Sequence, residues 1–562
     1  MSAHPEHLIL SGAPEGMDAA LIARELARGK PVIHIARDDR RMAAMRAALA
    51  FFAPSAVLLE FPAWDTTPYD RVSPAPAVMA ARMAVLTALA HGAIKGPFIL
   101  LTTLNAAMQR VPARDALRDA SFSARVGSRM DEGALRAYLA RMGFAQAPTV
   151  TEPGDFAVRG GIIDIYPPGD SGPIRLDMFG DVLDGARRFD AETQRSIEKL
   201  EFVELAPMSE VILDEAAITR FRQNYRAEYG GGANDPLYEG ISAGRKMAGM
   251  EHWLPWFHPK LESLFDYLPG ASVVLDDHLD QVRDARWHTI GEQFDARREA
   301  LKRKGGTDTV YRPVPPTAMF PDEAEWQRWL AAHRMLRLSV LPQPPGPGVL
   351  DAGGRIGRNF APERQAEGGN LFKALADYLR ETLRSRRVVI ASFSEGARER
   401  LSGLIADEGI TGAKPIADLR DLPDQPGALG LAVWPLDEGF VSDGQATGPL
   451  AVISEQDVLG DRLIRGAKKR RKAENFLRDT TTLTPGDLVV HVEHGIGRYT
   501  GLETVKALGV PHDCVALEYA GGDRLYLPVE NIELLSRYGH EEGLLDKLGG
   551  GAWQARKARL KE

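Results

Sequence analysis

At 562 residues, with 44% hydrophobic and 26% charged content, the chain has the make-up of a globular protein too long for one core, and roughly one domain per 150 residues predicts about four. A formal net charge of -8 excludes a chain drawn as a whole to DNA, leaving that task to a local basic patch. A single cysteine, Cys514, excludes an internal disulfide framework and a cysteine-rich zinc site, and no signal-like or membrane-spanning apolar run is present, so a cytoplasmic setting without a membrane partner is expected.

Residues 1–114 alternate apolar strands with helical patterns, which predicts a parallel sheet covered on both faces. Its first unit, "LILSGAPEGMDAALIARELARGKPVIHIA", has the outline of a phosphate-binding loop. A working loop reads GxxxxGK[ST], because its glycines let backbone N–H groups cradle phosphate while the lysine and hydroxyl reach phosphate and magnesium. Here Gly16 follows Gly12 one position early, and Met17 and Asp18 stand where the lysine and hydroxyl are needed. Asp18 is placed to cap the following helix and to repel an anion from its N-terminus. The shell of a nucleotide site is present without its chemistry, so neither a catalytic residue nor a bound nucleotide is assigned.

Residues 115–208 change to a helix followed by closely spaced strands, "GDFAVRGGIIDIYPPGDSGPIRLDMFGDVLDGARRFD". Period-two alternation broken by glycine and proline predicts an antiparallel sheet and therefore a separate α+β insert. Residues 209–345 hold the aromatic cluster "HWLPWFHPKLESLFDYLP", expected in the core, and the strand "ASVVLDD", which would complete the first sheet. "LPQPPGPG" marks a boundary, after which residues 346–455 read as a small α/β domain of unassigned role. The run "RLIRGAKKRRK" within 456–482 reads as a basic linker helix.

Residues 483–562 hold short strands punctuated by glycine and are expected to form a small, strongly bent antiparallel β-barrel, with a hairpin at Gly521 and Gly522. His491 and His494 suggest a metal pair, but HxxH on a strand sends the rings to opposite faces and no third ligand is evident, so no metal is assigned. A barrel of so few strands leaves an edge able to accept a partner strand. "GLETVKAL" is the candidate edge, with Leu502, Thr504 and Val505 as its contact residues.

Three motifs together resemble the N-terminal half of the bacterial transcription-repair coupling factors, the Mfd family: "FPAWDTTPYDRVSPAPAVMAARMAVL", "GDFAVRGGIIDIYP…IRLDMFGDVLDGARRFDAETQRS" and "GDLVVHVEHGIGRYTGLE…YAGGDRLYLPVENIELLSRY…KLGGGAW". The resemblance implies a multidomain α/β and α+β architecture: a UvrB-like, degenerate P-loop-type body with an inserted α+β domain, a small α/β domain, and a CarD-like or Tudor-like terminal module. It implies that the insert binds UvrA through Arg159, Arg175 and Phe179, and that the terminal module binds the β subunit of RNA polymerase by strand addition. Only "TTPYDRVSPAPAVMAA" separates Asp65 from Arg82, too little for the long hairpin with which UvrB grips damaged DNA. The family's motor, with its ATP and Mg2+ and its hold on double-stranded DNA, lies beyond the polymerase-binding module and is expected outside a chain that stops at "WQARKARLKE". The expected function is an adaptor in transcription-coupled repair. The alternatives are a DNA-dependent ATPase or UvrB-type damage-verification factor, and a CarD-like transcription regulator.

Overall fold

The computed structural model describes residues 6–230, 235–302, 312–366, 370–460, 488–491, 494–507, 510–528 and 535–539. The basic run and the C-terminal "WQARKARLKE" lie outside the described residues. The chain forms two compact units, Met1–Gly460 and Asp461–Glu562, and no helix among the described residues is long and apolar enough to cross a membrane.

The first unit is organised by a seven-stranded sheet in the order Val349–Asp351, His7–Ser11, Arg334–Ser339, Ser272–Leu275, Val32–Ala36, Phe98–Thr103, Val57–Phe61. Every pairing in it is parallel. Its central strands are buried along their whole length, as near-continuous apolar runs in a sheet covered on both faces must be. "ASVVLDD" enters the middle of this sheet, so residues between Thr103 and Ser272 form an excursion from it. The aromatics of the segment just before that strand are core: Trp253 and Phe257 are both 1% exposed.

Two boundaries differ from the sequence reading. Val349–Asp351, beyond the proline-rich stretch, pairs with His7–Ser11, so the segment crosses back onto the body instead of leaving it. The helix Glu455–Leu459 is held by a Ser454–Asp457 capping box and belongs to the first unit, because Asp457 also accepts the Gly439 N–H at 2.8 Å; the small domain therefore runs past Glu455.

The excursion carries a six-stranded sheet built on the strands Asp155–Arg159, Ile162–Ile165, Ile174–Phe179, Val182–Phe189 and Ser196–Leu200, with Ala145–Gln146 at its other edge. Alternation works as period two demands: Ile163, Ile165, Ile174 and Leu176 face a buried core with Leu135 and Leu139, while Asp164, Arg175 and Arg187 stand in register on the opposite face. The insert is pinned to the body by Arg82, fully buried on helix Pro76–His91, which pairs with the equally buried Glu210 where the chain leaves the insert. Arg82 also donates to the Pro62 carbonyl at 2.8 Å and lies 4.2 Å over the Phe61 ring.

The small domain has its own six-stranded sheet, ordered Gly354–Ile356, Phe440–Ser442, Leu450–Ser454, Arg387–Ser392, Leu429–Val433, Lys414–Ile416. In the second unit the described strands form a five-stranded antiparallel sheet in the order Arg524–Pro528, Val510–Glu518, Gly495–Ala507, Leu488–His491, Leu535–Gly539. Among the described residues no pairing joins its two ends.

Candidate partner-binding surfaces

The loop Gly12–Asp18 joins strand His7–Ser11 to helix Asp18–Leu26, with Gly12 and Gly16 at positive φ of 67° and 93°. Side chains of the small domain press against its glycines. A Cβ on Gly16 would lie 2.9 Å from Leu436 and 3.2 Å from Phe440, and one on Gly354 would collide with Met17 Sδ and sit 2.7 Å from the Gly12 carbonyl. Met17 is fully buried, so the residue standing in place of a phosphate-binding lysine is an apolar plug between the body and the small domain.

Asp18 does not cap its helix. Met17 holds the cap position in helical conformation without a side-chain bond, and Asp18 instead accepts the Gly16 N–H at 3.1 Å and pairs with buried Arg41. Arg41 Nε donates to Asp276 at 3.1 Å, and Arg37 bridges Asp276 at 3.2 Å and Glu15 at 2.6 Å. Burial, against the pull of Arg41, pushes the Asp18 carboxyl up to about 7. The neighbouring strand buries His34, whose imidazole is held down to about 3 by desolvation and then by the Arg41 charge. Cations that could meet phosphate are engaged with carboxylates of the same chain.

On the insert the balance is reversed at one end. Phe179 is 82% exposed, at the end of a strand that bulges between Asp177 and Met178 and turns through Gly180 at φ 61°; a bulge re-aims the strand and frees its tip. Arg159 stands half-exposed, its Nη2 3.6 Å from Asp164 Oδ2. Ile162, in register with Arg159 and Asp177, is also exposed. Arg175 is different: Nε donates to Asp164 Oδ1 at 2.7 Å and Nη2 to Oδ2 at 2.9 Å, and the guanidinium lies 4.5 Å over Phe189. The structure thus gathers the three predicted residues onto one sheet, with Arg159 and Phe179 open and Arg175 engaged. Sequence reading missed Asp164. The alternation in "IIDIYP" puts it on the outer face, and the signal for its burial was the arginine brought opposite it by the cross-strand register.

In the second unit, strand Gly495–Ala507 pairs through Gly495–Arg498 with Leu488–His491 on one side and through Arg498–Ala507 with Val510–Glu518 on the other. Its second half, holding Leu502, Thr504 and Val505, therefore has a strand on one side alone among the described residues. Gly497 is required where it stands, since a Cβ would press 3.0 Å from the Tyr519 ring. His491 and His494 are not on opposite faces: the strand ends at His491, the two rings stack with centroids 4.6 Å apart, and His494 N–H points to His491 Nδ1 at 3.3 Å. Among the described residues no group of three or more His, Cys, Asp or Glu side chains is placed to hold a metal.

Three family models match. Residues 122–210 match the UvrB interaction domain, residues 378–458 the D3 domain of MFD, and residues 483–539 the CarD-like/TRCF RID domain. Fold and surfaces thus define a multidomain protein that couples a UvrB-type interaction module to a CarD-like module. The chain is 32% identical to the transcription-repair-coupling factor of Escherichia coli over 98% of its length, 29% identical to that of Haemophilus influenzae over 99%, and 32% identical to that of Myxococcus xanthus over 95%. It belongs to the transcription-repair-coupling factor family. It spans about half the length of these relatives, 47%, 48% and 46% of each in the same order.

Proposed function

We propose that this chain is the adaptor portion of a cytoplasmic transcription-coupled nucleotide excision repair factor, holding RNA polymerase through its second unit and UvrA through its insert. The observation that carries the reading is that a UvrB interaction domain and a CarD-like domain occur in one chain, the first with Phe179 exposed and the second with a strand half-paired among the described residues. A half-paired strand offers backbone N–H and C=O groups for strand addition, and the segment Gly501–Ala507 is assigned to the polymerase β subunit. The exposed aromatic and half-exposed arginine of the insert suit a carboxylate-bearing partner, UvrA. Linking the two modules raises the effective concentration of one partner beside the other.

ATP chemistry is not assigned to Gly12–Asp18. The loop serves as a socket for the small domain, and its plugging by Met17, Leu436 and Phe440 weighs against the ATPase alternative. In this reading ATP, Mg2+ and the main hold on double-stranded DNA belong to the share of the family's length that this chain does not span. The test is binding of the full chain to purified UvrA and, separately, to the polymerase β subunit, with ATP titrated as control. Binding to both with no ATP affinity is expected; micromolar ATP affinity, or failure to bind either protein, overturns the proposal. Val505→Arg is expected to abolish capture of the β subunit while leaving UvrA capture intact.

A further inference from the structure

The two arginines of the insert face differ in what they can do. Asp164 is 2% exposed, Arg175 19% and Arg159 50%. Arg175 commits its Nε/Nη2 edge to the two oxygens of Asp164, is braced by the Phe189 ring beneath it, and reaches Gln194 Oε1 at 3.4 Å. Swinging it out to a partner would strand Asp164 as an uncompensated buried charge, which is strongly unfavourable. Arg159 is under no such constraint. Its guanidinium meets Asp164 Oδ2 at 3.6 Å, beyond hydrogen-bond range, so the contact is electrostatic and leaves its N–H groups free to donate.

Asp164 is therefore shared unequally. One oxygen serves Arg175 alone, and the other, already bonded to Arg175, also faces Arg159. The strand register fixes this geometry, because Ala157, Asp164 and Arg175 are directly opposite one another across three strands and Arg159 lies two residues along from Ala157 on the same face.

We infer that Asp164 is a positioning residue for docking on this face: clamped by Arg175, it holds Arg159 in place, so that Arg159 and Phe179 contact the partner while Arg175 acts within the sheet. This rests on the UvrA reading above, and the two can be separated. If the unaltered chain does not bind UvrA in calorimetry, that reading fails before any variant is made.

Given binding, the test is a double-mutant cycle of Asp164→Asn and Arg159→Ala on the full chain. Asp164→Asn alone should weaken UvrA binding about fivefold and Arg159→Ala at least about tenfold, and the pair should be no weaker than Arg159→Ala alone, since coupled residues are non-additive. A purely structural Asp164 would give effects that multiply, and that result overturns the inference. Should Asp164→Asn not fold, Arg159→Gln and Arg175→Gln are compared on the intact carboxylate. The first should lose at least about tenfold in affinity with an unchanged unfolding midpoint; the second should lower the midpoint and lose less than about threefold. The reverse pattern overturns the assignment.

Discussion

The loop Gly12–Asp18 and the outer face of the insert are built from the same residue types, arginine and carboxylate, and reach opposite states. Around the loop, Arg37 and Arg41 are matched to Glu15, Asp18 and Asp276 in or near the core, and side chains of the small domain pack against Gly16. On the insert, one arginine is matched to a buried carboxylate and a second remains half outside, beside a phenylalanine that no core claims. The difference teaches that an arginine's role is set by whether its charge is satisfied within the fold. Satisfied, it is architecture; left over, it is available to a partner.

The comparison can be broken most sharply where the insert is pinned to the body. Arg82→Leu leaves Glu210 buried without its cation and should destabilise the first unit by about 3–5 kcal/mol, read from denaturant midpoints, whereas Arg82→Leu with Glu210→Leu should recover much of that loss. If the single variant is as stable as the parent, the buried pair does not pin the insert.

Filling the socket comes next. Gly354→Ala drives a Cβ into Met17 and the Gly12 carbonyl and should lower stability by about 1–3 kcal/mol. Rebuilding the loop with Met17→Lys and Asp18→Thr should still give no ATP binding by calorimetry, because the small domain packs against Gly16 and the nearby arginines are paired within the chain. Clear nucleotide affinity in that variant would show the loop to be a ligand site and not a joint.

His34 sharpens the same region by pH. Its imidazole is neutral in the fold and held far below its ordinary 6.5, so the unfolded chain gains a proton below about 6.5 that the folded chain refuses. That contribution to stability is complete above pH 6.5 and is lost as pH falls toward 3, by up to about 1.4 kcal/mol per unit. His34→Leu should show a shallower acid limb in pH-dependent unfolding; identical limbs would mean that the imidazole is not held neutral.

The smallest expected effect on stability lies on the insert. Phe179→Ser removes an exposed side chain and should change the unfolding free energy by less than about 0.5 kcal/mol, while weakening UvrA capture. A large loss of stability would place Phe179 in the core and erase the contrast between the two regions.

Much of this was legible in local pattern. Alternating apolar strands and helices announced the parallel body and period-two alternation announced the insert, because periodicity is a property of short segments. What pattern could not reach was pairing between distant positions: Asp18 leaving its helix cap for Arg41, and Asp164 buried on the polar face of its sheet against Arg175.

By itself the sequence determined the order of modules, the presence of Met17 and Asp18 where a phosphate-binding loop has lysine and a hydroxyl, and the presence of Arg159, Arg175 and Phe179 on the insert. Only the tertiary structure decided that Gly354 and Phe440 close the loop and that Arg175 belongs to Asp164 while Arg159 stays half in solvent. The physical reason is that a charge's availability depends on its desolvation and on the partners that cross-strand register and domain packing bring to it, and these are set by residues far away in the chain.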